Sequence, residues 1–193
     1  MTTHTRFPTA LGECTLSWSD AGLTSFTFPS APHFPPRSVA RERNDSSARC
    51  PPSSVVSPPP SVVRPPSSVD CPPSIATIVA RVQRHLAGDL QDFADLAYDW
   101  SGVTGFQSRV LRAVLAIQPG RTATYGDLAH AIGAKPGAAR AVGGAVGANP
   151  WPLLIPCHRI LGAGGRLTGY SGPGGIATKR ALLALEGVEL PTG

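Results

Sequence analysis

The sequence predicts an α+β fold, in which a short β region precedes a mainly helical region. Three observations support this prediction. Strand-favouring residues flank a turn near the N-terminus, apolar residues recur at helical spacing after residue 74, and glycine and proline divide the chain into short elements. The 193 residues suffice for one or two small domains with buried cores. We therefore expect an N-terminal domain over residues 1–100 and a C-terminal domain over residues 101–193.

The first expected element is a β-hairpin within residues 7–28. Thr15–Trp18 and Leu23–Phe28 are rich in residues that favour strands. Asp20–Gly22, between them, has residues typical of a turn. Two antiparallel strands are the expected result.

A proline-rich insertion follows over residues 29–73, which hold 13 of the 21 prolines in a loose repeat such as CPPSSVV and RPPSSVD. Proline lacks a backbone donor and fixes φ, so polyproline II or disorder is expected here instead of helix or internal strand. A surface insertion is the favoured interpretation, and a docking segment for a proline-binding partner is the alternative. Cys50 and Cys71 each begin a copy of the repeat and are interpreted as repeat members.

Two amphipathic helices are expected next, each with an apolar stripe and a stop signal. The first ends near Gly88 and the second near Pro119–Gly120. The two stripes are Ile75, Ile78, Val79, Val82 and Leu86, and Phe106, Val110, Leu111, Val114 and Leu115.

A helix-turn-helix is expected after residue 123. Thr124 is placed to cap a short helix through Ile132, and a second helix is expected over residues 138–146. The second helix, AARAVGGAVGAN, has Arg140 as its single long polar side chain. Its three glycines cost about 1 kcal/mol each relative to alanine, so something must approach the backbone closely. Tight packing on protein is one interpretation, and contact with a narrow DNA minor groove is the other.

The segment NPWPLLIPCHRI contains the reactive candidate among four cysteines. No cysteine spacing indicates a disulfide framework or a zinc site. Cys157 is followed by His158 and Arg159, an electropositive setting that favours the nucleophilic thiolate. Neighbouring side chains of an extended segment point apart, so contact between Cys157 and His158 needs a turn or a bridging water. The alternative is a buried structural cysteine beside a surface His–Arg pair.

A final helix is expected over residues 178–186, with Glu186 at its last position. A carboxylate there opposes the helix dipole, which suggests a specific partner. His158 is the expected partner, and a Glu–His–Cys relay would activate the thiol. A solvated Glu186 is the alternative.

Charge and hydropathy narrow the function classes. Residues 1–100 carry eight Lys/Arg and nine Asp/Glu, whereas residues 101–193 carry nine and three. The basic C-terminal half suits nucleic acid. Neither an apolar run of about 18 residues nor a secretory signal is evident in the sequence, so a cytoplasmic location without membrane contact is expected.

Four segments of the sequence together resemble the O6-alkylguanine-DNA alkyltransferases, or methylated-DNA–protein-cysteine methyltransferases. These segments are PCHRI after NPWPLLI, ARAVGGAVGANP, TATYGDLA and KRALLALEG. The resemblance is strong over residues 104–190 and weaker over 7–28 and 75–100. It implies a small ribonuclease H-like α/β domain, interrupted by the insertion, and then a mainly helical winged-helix-like domain that binds DNA and holds the active site.

The family implies direct-reversal DNA repair. Cys157 would irreversibly accept the alkyl group of a flipped-out O6-alkylguanine, with O4-alkylthymine as a further candidate substrate. His158 and Glu186 would activate the thiol through water, Asn149 would hold the turn before it, and Tyr125 would assist the leaving group. Arg140 would replace the extruded base. The other implied DNA-binding residues are Gln107, Ala138, Ala139, Gly143 and Gly144, and the implied pocket residues are Tyr170, Ser171 and Trp151.

The resemblance also implies a monomer that binds double-stranded DNA through the minor groove and needs no cofactor. No zinc is expected, because Cys14 lacks neighbouring ligands. The loop YSGPGG is longer than the YSGG-like form of the family, so the pocket should differ in shape. The main alternative is a non-catalytic lesion-binding relative, in which the acceptor cysteine would be replaced. A helix-turn-helix transcription factor and a Cys–His hydrolase are weaker alternatives.

Overall fold

The computed structural model describes residues 1–34 and 73–190, which form an α+β fold. Most of the proline-rich insertion, with Cys50 and Cys71, lies outside the described residues. The strands are β1 (Thr3–Thr9), β2 (Gly12–Ser19), β3 (Gly22–Thr27), β4 (Ala123–Thr124) and β5 (Ile160–Leu161). The α-helices are α1 (Pro73–Leu86), α2 (Gly105–Leu115), α3 (Tyr125–Ala131), α4 (Ala139–Gly147) and α5 (Gly175–Leu185). Short 3-10 turns occupy Trp100–Gly102, Cys157–Arg159 and Ala163–Gly165.

The N-terminal strands form an antiparallel sheet of order β1-β2-β3. The predicted hairpin is confirmed as β2–β3, with Ser19 paired to Gly22 across the turn. A Cβ on Gly22, whose φ is +131°, would lie 2.6 Å from the carbonyl oxygen of Ala97, so this turn requires glycine. The sequence prediction missed β1, whose buried Thr5 and Phe7 alternate with exposed residues.

The helices agree with the predicted stripes and caps. The Thr124 hydroxyl accepts from the Asp127 backbone N–H at 3.1 Å, and the Asp127 carboxylate accepts from the Thr124 backbone N–H at 2.8 Å. This capping box fixes the start of α3. Helix α4 follows after a glycine-containing turn and packs on α2 and α3. Among the described residues, no helix is long and apolar enough to cross a membrane.

An aromatic cluster joins the sheet to the C-terminal region. The ring centroids of Tyr98, Trp100 and Trp151 lie 5.1 to 5.8 Å apart. The fully buried Trp151 indole donates to the carbonyl of Leu23 at 2.9 Å. The sequence predicts Trp151 in the substrate pocket, but in the structure its ring lies in the core between the two regions. Aromatic rings and a carbonyl from distant parts of the sequence pack around it.

Candidate active site

Cys157 begins a 3-10 turn that leads directly into β5. The segment before it is braced by Asn149, whose amide donates to the Ile155 carbonyl at 2.9 Å and accepts from the Trp151 N–H at 3.0 Å. Within this segment Leu153 has a φ of +77°, an unfavourable conformation for a residue with a Cβ. The two Asn149 hydrogen bonds close the turn around that residue and so position Cys157.

His158, Arg159 and Glu186 form a buried cluster behind Cys157. His158 Nε2 lies 3.0 Å from Glu186 Oε1. The Arg159 guanidinium donates to both carboxylate oxygens, with Nη2 2.7 Å from Oε1 and Nε 2.9 Å from Oε2. The predicted His–Glu contact is thus present. The alternatives of a surface His–Arg pair and a solvated Glu186 are both wrong.

The cluster holds Glu186 ionised. Burial alone would raise the pKa of Glu186, but hydrogen bonds from His158 and Arg159, together with the nearby His85 imidazole, hold that pKa well below its usual range. Burial also lowers the pKa of His158, against the opposing effect of Glu186, so the imidazole is neutral. Its second nitrogen, Nδ1, is buried and has no hydrogen-bond partner among the described residues. A neutral ring whose Nε2–H donates to Glu186 can accept a proton at Nδ1.

The surroundings of Cys157 raise the pKa of its resting thiol rather than lower it. Burial raises the pKa of Cys157, and hydrogen bonding to Asn149 and the charge of Lys179 act against that rise. The expectation that His158 and Arg159 create an electropositive setting is corrected, because both side chains hydrogen-bond Glu186. The cation that acts on the sulfur is Lys179, which the sequence interpretation missed.

Lys179 lies fully buried on α5. Its ammonium donates to the carbonyls of Ile160 at 2.5 Å, Thr168 at 3.1 Å and Gly169 at 3.4 Å, and so ties β5 to the following loop. Burial lowers its pKa to about 8. A signal was available, since a helical stripe of i, i+3 and i+7 places Lys179 on the same face as Leu182 and Glu186.

Cys157 opens into a pocket of about 260 Å³. Tyr125 contributes from α3, two glycines contribute from α4, and Tyr170 and Ser171 contribute from the loop before α5. Burial raises the pKa of Tyr170, and the negative charge of a Cys157 thiolate raises it further, so its hydroxyl stays protonated. The structure therefore brings the predicted Tyr125, Tyr170 and Ser171 together around the sulfur. The full lining is Tyr125, Gly143, Val146, Gly147, Cys157, Gly169, Tyr170 and Ser171.

A second pocket, of about 210 Å³, reaches Cys157 from the side of the N-terminal sheet. Phe26 and Phe28 line it from β3 and the residue after it, and Pro173 of the loop YSGPGG also lines it. Trp151 lines neither pocket. The extra loop residues thus shape a space next to the thiol.

Helix α4 presents an open outer face beside the first pocket. A Cβ added to Gly144 or Gly147 would meet nothing within 4 Å, whereas one on Gly143 would come 3.8 Å from the Tyr125 ring. Packing within the protein therefore does not require glycine at 144 and 147. Arg140 is exposed near the start of this helix, and Ala138 and Ala139 are half-buried there. Gln107 donates to the Ala148 carbonyl at 2.9 Å and so links α2 to the end of α4.

The other described cysteine contrasts with Cys157. Cys14 is fully buried in β2, and burial raises its pKa to about 11. It opens onto neither pocket beside Cys157. In residues 1–34 and 73–190, no cluster of three or more His, Cys, Asp or Glu side chains could hold a metal ion.

The fold and site define a class: an α+β protein with a helix-turn-helix beside a buried cysteine that is backed by a His–Glu pair. Residues 105–188 match the family model of the 6-O-methylguanine DNA methyltransferase DNA-binding domain. The methylated-DNA–protein-cysteine methyltransferase of Mycobacterium tuberculosis is 51% identical over 113 residues, 58% of this chain and 66% of the relative. That of Haemophilus influenzae is 45% identical over 104 residues, 54% of this chain and 56% of the relative.

Solved structures match over more of the chain. The Mycobacterium tuberculosis OGT in complex with DNA has a TM-score of 0.66 and 36% identity, over 95% of this chain and 92% of that one. The Mycobacterium tuberculosis O6-methylguanine methyltransferase has a TM-score of 0.65 and 32% identity, over 100% and 97%. The chain belongs to the O6-methylguanine-DNA methyltransferase family. Its alignment spans 66% or less of the length of the two curated relatives named above.

Proposed function

We propose that this protein repairs DNA directly, by moving the methyl or alkyl group of O6-alkylguanine onto its own Cys157. The observation that carries this proposal is the position of the sulfur. It opens into a pocket beside α4, and a buried His158–Glu186 pair lies behind it. The enzyme would be a methylated-DNA–[protein]-cysteine S-methyltransferase. Each molecule would act once, because the thioether formed on Cys157 is stable and the free thiol is not regenerated.

The chemical step is a displacement at the alkyl carbon. The Cys157 sulfur forms a bond to that carbon while the bond from carbon to guanine O6 breaks, and the electron pair leaves with the guanine. The thiol proton passes to Nδ1 of His158 through water, and Glu186 stabilises the resulting imidazolium through Nε2. The departing guanine anion takes up a proton from water, with Tyr125 proposed to assist this transfer, and the His158 imidazolium afterwards returns the thiol proton to water, so that the protons balance. No cofactor takes part in these steps.

Burial of the thiol has a consequence for selectivity. Because burial raises the pKa of Cys157, the resting sulfur is a protonated thiol that reacts poorly with adventitious electrophiles. Reaction then depends on a lesion in the pocket, where the alkyl carbon meets the sulfur and the relay removes the proton.

The proposed partner is double-stranded DNA, contacted through the minor groove by the helix-turn-helix of α3 and α4. The open backbone at Gly144 and Gly147 supports this, because a helix face without side chains fits a narrow groove. The O6-linked carbon is inaccessible in the duplex, so the guanine would be flipped into the pocket between Tyr170 and Ser171, and Arg140 would fill the stack. Four further residues are proposed to contact the DNA backbone around the flipped guanine: Gln107, Ala138, Ala139 and Gly143.

Further parts of the proposal follow from family membership. We propose an N-terminal ribonuclease H-like domain over residues 1–100 and a winged-helix-like domain over residues 101–193, in a monomer located in the cytoplasm. A lesion-binding relative that only recruits other factors is the alternative function. The presence of Cys157 in the pocket favours the enzyme, since binding alone has no use for a nucleophile.

Intact-protein mass spectrometry tests the proposed function. Incubation with duplex DNA containing one O6-methylguanine is expected to add one methyl group per protein molecule, located by peptide mapping on Cys157. The Cys157→Ala variant should bind the same duplex and gain no mass, and Cys14→Ala should be modified like the wild type. An unmodified wild-type protein that still binds the lesion would establish the lesion-binding alternative.

Arg140→Ala tests the proposed role of the helix-turn-helix. Loss of the side chain that fills the stack is expected to slow methyl transfer from duplex DNA by about tenfold or more, since unstacking costs a few kcal/mol. Transfer from the free methylated base needs no flipping and should keep its wild-type rate. Arg6→Ala, which removes an exposed cation from β1, is the matched control. Equal slowing of both variants on duplex DNA would assign the effect to overall charge.

A further inference from the structure

The buried Glu186 carboxylate has a neighbour from the N-terminal region that the relay described above does not use. His85 lies in the last turn of α1 and its side chain is fully buried. Its Nε2 is 3.5 Å from Glu186 Oε1, the same oxygen that contacts His158. Two imidazoles, one from each region of the chain, therefore face one carboxylate oxygen.

The orientation of the His85 ring is fixed from its other side. The backbone N–H of Gln91 donates to His85 Nδ1 at 3.0 Å, so Nδ1 carries a lone pair and the proton of the neutral ring is on Nε2. Phe93 packs against the ring, with centroids 5.5 Å apart. Within the described residues, Nε2 makes no hydrogen bond of ordinary geometry, and its 3.5 Å separation from Glu186 Oε1 is a looser contact than the 3.0 Å one of His158. With Nδ1 engaged by Gln91, the Nε2–H is the group that His85 presents to the carboxylate.

Arg159 already matches the Glu186 carboxylate in charge, because its guanidinium supplies one positive charge to the single negative charge of Glu186. An N–H donor placed against the same carboxylate stabilises it without adding a further charge.

We propose that His85 is a positioning residue of the alkyl-transfer site, which holds Glu186 oriented and ionised for His158 through its Nε2–H. This inference rests on the proposed function, and it makes the N-terminal region a contributor to the site. His85 touches neither the substrate nor the sulfur, and it acts through Glu186 alone. During transfer, His158 becomes an imidazolium and Glu186 must remain a carboxylate. A donor from His85 makes proton capture by the carboxylate less favourable.

The first test measures the tautomer in the unmodified wild-type protein. Nitrogen-15 NMR of the histidine rings is expected to show the His85 proton on Nε2, with Nδ1 as an acceptor. A proton on Nδ1 would overturn the proposal, because the ring would then present a lone pair to the carboxylate. This measurement depends neither on methyl transfer nor on the folding of a variant.

The second test compares two replacements of similar size. His85→Leu removes the N–H group that faces Glu186 and is expected to slow methyl transfer about tenfold, the size of effect expected for losing one polar contact with a charged group. His85→Gln keeps an N–H donor and should remain within about threefold of the wild-type rate. Affinity for the methylated duplex should be unchanged in both. Val82→Ala, one turn earlier on the same buried face, controls for lost packing and should lower thermal stability without changing the rate.

The outcomes separate the two proposals. A wild-type rate in His85→Leu, or equal slowing of the Leu and Gln variants, overturns the role of His85 while the wild type still gains its methyl group. Absence of methyl transfer in the wild type overturns the proposed function, and the tautomer measurement then still reports on the His85–Glu186 contact.

Discussion

Replacing Glu186 with glutamine is expected to abolish most methyl transfer and to destabilise the protein in one step. The amide cannot neutralise Arg159, which is 3% exposed and makes its charged contacts with Glu186. Removing one partner of a buried ion pair costs about 3–5 kcal/mol. Without the carboxylate, His158 also loses the group that stabilises its imidazolium, and transfer should slow by about 100-fold or more. Denaturant unfolding and single-turnover transfer measure the two effects.

The double variant Arg159→Met with Glu186→Met separates them. Removing both charges leaves no uncompensated ion, so the double variant should be more stable than Glu186→Gln. Its transfer rate should remain as low, because the relay is absent in both. A double variant less stable than Glu186→Gln would contradict this account of the cluster.

Acid unfolding gives the same carboxylate a pH signature. The pKa of Glu186 in the folded protein lies well below its ordinary value of 4.5, so the unfolded chain takes up this proton first as the pH falls. The stabilisation by Glu186 is therefore complete above about pH 4.5 and is lost progressively below it. Glu186→Gln should show a correspondingly flatter acid limb of stability against pH.

Lys179→Met is expected to make the Cys157 thiol titrate at higher pH. Methionine fills the same space but removes the cation that acts on the sulfur and the donor shared by three carbonyls. Loss of a nearby opposite charge shifts a pKa by about 1 unit or more. The midpoint of the pH dependence of alkylation by iodoacetamide should move to higher pH by that amount. Methyl transfer at neutral pH should slow by about tenfold.

Arg180→Met is the matched control for Lys179→Met. Arg180 is the next residue of α5, and its side chain is exposed. Removing this charge should leave the pH dependence of thiol alkylation unchanged. If both variants shift the thiol equally, the effect belongs to net charge and Lys179 has no specific role.

The local elements of this fold could be predicted from the sequence because local rules determine them. The apolar stripes anticipated α1 and α2, and Thr124 with Asp127 forms the cap that begins α3. Strand β1 was missed because its sequence is a weak signal for a strand. The buried Thr5 and Phe7 alternate with polar residues, and the strand includes Pro8. Its stability comes from pairing with β2, which is a contact between elements.

The candidate site was predictable in part. The unusual placement of Glu186 at a helix end correctly indicated His158 as a partner. Sequence adjacency misled in two places, at Arg159 and at Trp151, because the backbone turns at Cys157–Arg159 and the indole is drawn into the core. One turn of 3-10 helix is thus enough to direct side chains that are adjacent to Cys157 in sequence towards Glu186 and away from the sulfur.

Lys179 and His85 show what remains beyond a sequence pattern. Both lie on apolar helical stripes, where a polar residue can be noticed but its partner cannot be named. His85 meets Glu186 across about half the chain, and Lys179 meets carbonyls of β5 and the following loop. Only packing of α1 and α5 against the active-site turn brings these groups together.

The aromatic cluster has an optical consequence. The three tryptophans are Trp18, Trp100 and Trp151, and the last two stack edge to face 5.1 Å apart where the sheet meets the helical region. None of them lines either pocket beside Cys157. Intrinsic fluorescence should therefore report separation of the two regions and remain almost silent when the sulfur is alkylated. The same tryptophan emission can therefore be used to compare the unfolding of the alkylated and the unmodified protein, because both start from the same folded-state baseline.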